Sequence, residues 1–324
     1  VTRSPSLIAA LIAVAGLALV VWQIRDVGLD TVWAGFRAVG PLGFAAILTL
    51  SFLRYLVRSL AWTTLIVPPP GRPSVPLRSV TAATIGGDAL GNLSFLSLLV
   101  SEPAKALYLT RHVPAEEALG ALTAENFFYS VSVAIVIVAG TVTLLATFVL
   151  PDAWRNAAWL ALALMGAVLL IATLLAWKRP GLTTRVHLRE DRWLGRALAR
   201  LRALERITYR GLRTSTWRLV TVIGCEVAFH ALSIFESWLT LYLLTGSSQW
   251  LNAFLFDTLN RIINVVFRLV PLRVGVDEVS ASGLADLIGL GSATGLTMAL
   301  VRKARVLTWV AVGLGVTGRR ALAK

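Results

Sequence analysis

Six stretches of the chain, residues 6–24, 41–67, 119–150, 156–177, 217–244 and about 293–317, are apolar over lengths near or above the roughly 20 residues an α-helix needs to cross a bilayer core. In lipid every backbone polar group must be paired within the protein, which restricts a spanning chain to helices or a closed barrel. The alternating ten-residue strands of a barrel are missing. Composition agrees: 56% of the 324 residues are hydrophobic and 15% charged, far from the balance of a soluble domain. The expected fold is therefore all-α, a polytopic membrane helix bundle forming a single transmembrane domain over residues 1–324. Residues 6–24 follow Arg3, lack a small-residue cleavage site and end near Trp22, an interface anchor, so they read as a retained span and not as a signal peptide.

Two more apolar regions, 80–107 and 251–290, are interrupted by Gly, Pro and charged residues. Each is too broken for one straight lipid-facing helix and long enough for two half-helices. Broken backbone at membrane depth persists only where protein or a wet cavity satisfies it, so both regions are expected to face inward as re-entrant helical hairpins. The count is then about six full spans plus two hairpins.

The net charge of +14 is concentrated in residues 178–218, where twelve Lys and Arg stand against Glu190, Asp191 and Glu205. Between two apolar spans such a block reads as a cytoplasmic loop beside anionic head groups, and nucleic acid is not an expected partner. Within it Leu194, Leu198, Leu201 and Ile207 fall near one face, while Arg196, Arg200 and Arg206 occupy others. The spacing fits a helix lying on the membrane surface, or a solvated marker of topology. Placing this loop inside puts both termini inside and sets residues 80–107 and 251–290 entering from opposite faces. That is the inverted-repeat logic of many transporters; eight conventional spans would satisfy the same charges. The chemistry points to a bacterial-type cytoplasmic membrane.

The run "DTLNRIINVVFRLVPLRVGVDEVSASG", residues 257–283, carries three arginines and three carboxylates among apolar residues. Asp257, Arg261, Asn264 and Arg268 recur at offsets 0, 4, 7 and 11 and share a helical face, which reads as the wall of a cavity or as an internal ion-pair ladder. Arg273 and Glu278 follow. Arg54 and Arg58 share a face of residues 41–67, Lys105 lies near the end of the first broken region, and Arg302, Lys303 and Arg305 interrupt the last span. An arginine at the bilayer centre costs at least about 2.5–3.5 kcal/mol on insertion scales, so such a group implies a bundle interior with partners. Acidic partners on offer include Glu102, Glu125, Glu226, Glu236, Asp277 and Glu278. Guanidinium keeps its charge and binds phosphate in bidentate geometry, which makes a phospholipid or a polyprenyl-phosphate-type lipid the expected ligand.

Enzyme motifs are missing: there is no HExxH, no GxSxG and no GxxxxGK[ST]. "GGDALG" at Gly86 has no strand beside it, and its glycines suit close backbone approach in the first hairpin turn. Glu226 and His230, four residues apart, suit either a proton relay or a buried hydrogen-bonded pair. Cys225 is the sole cysteine, so no disulfide can form within the chain, and no metal or other cofactor is expected.

The elements "LVRSLAW" at Leu56, "SEPAKALYLTR" at Ser101, "AEN" at Ala124, "VPLRVGVDE" at Val270 and "ALVRKARVLTW" at Ala299 together resemble the flippase-like transmembrane region of lysylphosphatidylglycerol synthases. The likeness runs over about residues 50–315. It implies motif positions at Arg58, Glu102, Glu125, Gly275, Glu278 and Arg302. Ser101, Lys105, Asn126 and Tyr129 depart from the pattern. The aminoacyl-transfer domain of the synthases is missing from these 324 residues, so lysine transfer is not expected. The expected function is translocation of an anionic lipid or lipid-linked intermediate between leaflets. An enzyme or accessory module acting on lipid-linked sugar, and a lipid-binding scaffold working through the basic loop, are the alternatives.

Overall fold

A computed structural model describes residues 25, 29–68, 71, 73–94, 97–178, 202, 209–210, 215–267 and 273–322. The expected first span, nearly all of the basic loop with Arg196, Arg200 and Arg206, and Arg268 lie outside the described residues. Among those described are nine helices: α1 Leu29–Leu65, α2 Leu77–Asn92, α3 Ser97–Tyr108, α4 Ala115–Thr147, α5 Asp152–Lys178, α6 Thr216–Thr245, α7 Trp250–Val266, α8 Val276–Leu287 and α9 Ser292–Leu322. No strand occurs among them. Helices α1, α4, α5 and α6 are long and apolar enough to cross a membrane. The protein is a multi-pass, all-α membrane protein.

Helix α1 corrects one boundary. The expected spans 6–24 and 41–67 leave residues 25–40 as the connection between them, yet the chain is helical from Leu29, and the break falls at Gly40, whose φ of 60° precedes Pro41. Proline cannot donate to the preceding turn and glycine accepts the left-handed backbone, so the chain bends there and restarts. The short first arm is helical because it packs: Val39 joins Ile47 and Val301 in one apolar cluster, and Gly35 abuts Thr297 of α9.

The four helices α1, α4, α6 and α9 run the length of the bundle, with two apolar clusters at opposite ends. At one end Trp62 and Leu65 of α1, Ala118 and Leu122 of α4 and Val222 of α6 enclose Val80 of α2 and Ala106 of α3. At the other, Leu241 of α6 packs with Phe256 of α7, Leu284 of α8 and Met298 of α9. The two broken regions thus fold as two helix pairs, α2–α3 and α7–α8, at opposite ends. Helix α5 leaves Trp159, Leu160, Leu170 and Ile171 exposed, a face suited to lipid.

Glycines set the closest approaches. Gly86, Gly87 and Gly91 lie within helix α2 and not in a turn, and a Cβ on Gly87 would stand 2.3 Å from Lys105 Cγ. Small residues let helix backbones approach in a bilayer. On Gly295 of α9 a Cβ would fall 2.1 Å from the Ala281 carbonyl oxygen of α8, which is main chain and cannot swing away. Gly295→Ala is therefore expected to destabilise the protein by about 1–3 kcal/mol through overpacking. Gly224→Ala, at an exposed helical position with open space around it, should stabilise by about 0.5–1 kcal/mol. Thermal midpoints of the two variants in detergent should move in opposite directions.

Candidate functional site

Between the two apolar clusters lies a cavity of about 280 Å³. It is lined from α1 by Ser51, Arg54, Tyr55 and Arg58, and from the first broken pair by Asp88, Ser101, Glu102 and Lys105. Helix α7 adds Asn260, Arg261 and Asn264, and Arg273, Arg302 and Arg305 close the wall. Nine of the residues expected from sequence thus share one hollow: Arg54, Arg58, Glu102, Lys105, Arg261, Asn264, Arg273, Arg302 and Arg305.

Asp257 and Glu125 stand behind the wall and hold its cations, and Glu278 also lies outside the lining. Asp257 Oδ2 accepts from Arg261 Nε at 2.7 Å, and its Oδ1 accepts from Ser233 Oγ at 2.6 Å. Glu125, fully buried, accepts from Arg58 Nε at 3.0 Å. Glu278 has a different duty. It pairs with Lys303 of α9 at 2.5 Å, and its second oxygen accepts from the Gly275 backbone N–H at 2.9 Å, closing the first turn of α8. Carboxylates in a first helical turn also gain from the positive end of the helix dipole. The "VDE" sequence is therefore a cap on α8, tied to α9 through a lysine.

The cavity has two differently charged sides. On one, Lys105 bridges Asp88 at 2.8 Å and Glu102 at 3.1 Å while only 2% exposed. Asn126 accepts from Arg58 Nη2 and donates to Glu102, both at 2.8 Å. The Arg58 guanidinium lies 4.2 Å from the centre of the Tyr129 ring. Lys105, Asn126 and Tyr129 thus interlock through Glu102 and Arg58 as one network. Here the two cations Arg58 and Lys105 face the three carboxylates Asp88, Glu102 and Glu125.

On the other side the balance reverses. Glu236 of α6 holds Arg54 of α1 at 3.0 Å and also Arg305 of α9. Arg273, at φ 47° in the left-handed region, pairs with Asp277 at 3.4 Å. Arg302 makes no hydrogen bond and no ion pair among the described residues. Five arginines therefore stand against Asp257, Glu236 and Asp277. Three of the paired arginines also keep idle donors: Arg54 Nε, Arg261 Nη2 and Arg305 Nε are buried without acceptors among the described residues. A buried charged donor without a partner costs roughly 1–3 kcal/mol or more.

Sequence reasoning missed Asp88 and Tyr55 and could not rank Glu236 among the carboxylates on offer. Asp88 lies inside "GGDALG", where the glycines draw attention away from the one side chain that meets Lys105. Glu236 lies in an apolar helix, and its only signal is that cost of a buried charge.

Neither curated proteins nor solved structures give a match to this chain. The model of the family described as the lysylphosphatidylglycerol synthase TM region matches residues 6–315, nearly the whole length. The chain belongs to the lysylphosphatidylglycerol synthase transmembrane-region family.

Proposed function

We propose that this protein moves an anionic lipid, a phospholipid or a polyprenyl-phosphate-type lipid, between membrane leaflets, with the head group in the arginine cavity and the acyl chains in the bilayer. The observation that carries this reading is the guanidinium surplus: five arginines stand against three carboxylates on one side of the cavity, and Arg302 is in no ion pair among the described residues. Guanidinium forks match phosphate oxygens, and the polar hollow suits a charged head group more than an apolar ligand. At about 280 Å³ it lies just below the roughly 300–1,000 Å³ of pockets that enclose a whole drug-sized ligand, a size for a head group and not for an entire lipid. On this reading α2–α3 and α7–α8 are re-entrant hairpins of an inverted repeat, with the cavity at their interface. The basic loop and both termini then face the cytoplasm, in a cytoplasmic membrane. The protein acts as a transporter and not as an enzyme.

Phosphatidylcholine vesicles carrying the purified protein and a fluorescently labelled phosphatidylglycerol test the proposal. Dithionite added outside should bleach well beyond the outer-leaflet half of the label, whereas labelled phosphatidylcholine in the same vesicles should cross more slowly. Bleaching that halts at half with both lipids refutes translocation, and equal crossing of the two refutes an anion path.

A further inference from the structure

One residue behind the cavity wall, a hydrogen-bonded chain joins α4 to α6 and takes no part in holding the arginines. Glu226 and His230, at 6% and 7% exposure, do not meet each other directly despite their helical spacing. Ser132 of α4 stands between them: its hydroxyl can donate to Glu226 Oε2 at 2.8 Å or to the Tyr129 carbonyl at 2.9 Å, and His230 Nε2 lies 2.8 Å from Ser132 Oγ. His230 Nδ1 is buried and has no partner among the described residues. The imidazole stacks on Tyr129, whose ring carries Arg58, and meets the edge of Phe229, whose ring lies under Arg54. Tyr129 and Phe229 both line the cavity.

A hydroxyl between a carboxylate and an imidazole satisfies both hydrogen bonds in either of two directions. With Glu226 ionised, Ser132 donates to it and His230 donates through Nε2–H. When a proton binds at Nδ1, the Nε2 proton passes to Ser132 Oγ as the Ser132 proton passes to Glu226 Oε2. One proton enters, one O–H forms on Glu226, and the imidazole ends neutral as its other tautomer. The unit changes from one negative charge to none, and every bond in it survives.

We propose that Glu226, Ser132 and His230 form a proton-loading unit that couples lipid movement through the cavity to a proton gradient, an inference that rests on the cavity being an anion path. The charged and titratable groups facing the unit are Arg54 and Arg58 of α1, Glu125 and Tyr129 of α4, and Asp257 and Arg261 of α7. On α6 itself Cys225 adjoins it, while Glu236 farther along is occupied by Arg54 and by Arg305 of α9. Among these, Arg58 and Arg261 feel the Glu226 charge directly. Neutralising it leaves their positive field less opposed, so a loaded unit attracts an anionic head group more strongly. Linkage makes the effect reciprocal: a bound anion favours loading, and proton and head group travel together.

The test uses the same vesicles with a pH step imposed, acid on the side from which the labelled phosphatidylglycerol starts, and reads the rate with the step divided by the rate without it. Wild type should give a ratio of about five or more, the low end of ordinary site-to-site coupling. Glu226→Gln, fixed in the neutral state, and Ser132→Ala, which cuts the path between two intact titratable groups, should both give a ratio of one. Ser132→Thr, which restores a hydroxyl, should recover the response. A wild-type ratio of one overturns the proton coupling and leaves the lipid reading intact. Ratios preserved in both Glu226→Gln and Ser132→Ala overturn the assignment to these residues. Absence of lipid movement in wild type overturns both proposals.

Discussion

Arg302→Ala should slow translocation of an anionic lipid by about 10- to 100-fold while leaving the fold intact. The magnitude follows from a hydrogen bond to a charged group, about 1.5–3 kcal/mol, at roughly 1.4 kcal/mol per factor of ten. The selectivity follows from pairing. Arg302 lines the cavity and makes no ion pair among the described residues, so truncating it breaks no ion pair between the described helices. The thermal midpoint in detergent should hold within a few degrees. Arg302→Lys keeps the charge but loses the planar fork, and should retain an intermediate rate. A wild-type rate in Arg302→Ala, measured on protein that melts normally, would remove the anion path from consideration.

Glu236→Ala should have the opposite profile, a loss of stability first. This carboxylate, 6% exposed, holds Arg54 of α1 and Arg305 of α9 against α6, so one truncation leaves two guanidiniums without their acceptor. Removing one partner of a buried pair typically costs about 3–5 kcal/mol, because the remaining charge stays buried and uncompensated. Glu236→Gln keeps an acceptor for one guanidinium and should lose less. Pairing Glu236→Ala with Arg305→Met removes one of the stranded cations and should recover part of the loss. Melting curves of the four proteins supply the comparison, and an unchanged midpoint in Glu236→Ala would show these charges to be well solvated.

The sequence made the bundle legible because the demand of lipid on the backbone is written in the length of apolar runs. The helices α4, α5 and α6 lie within a few residues of the apolar runs from which they were expected. The short first arm of α1 was not legible: Asp30, Trp33 and Arg37 make it look like a loop, and what makes it helical is Val39 and Gly35 packing on α9, a contact between residues far apart in the chain. The cavity was legible as a set of cations, since each buried arginine advertises its cost one residue at a time. The division of labour among carboxylates was not, because it depends on which helix each one faces. Glu102 reaches the hollow, whereas Glu278, in an equally charged motif, turns away to cap α8. Ser132 lies beyond sequence inference altogether: a serine in an apolar helix carries no mark of the two residues it joins.

The anchoring of Glu236 and Glu278 by Arg305 and Lys303 bears on how the protein is made. Lys303 sits on α9, so during synthesis Glu278 of α8 reaches the membrane before its cation has left the ribosome, whereas Glu236 of α6 can meet Arg54 of the earlier α1 and gains Arg305 afterwards. A carboxylate awaiting its partner weakens the hold of lipid on its helix, so Glu278 is secured in the bundle only when α9 supplies Lys303.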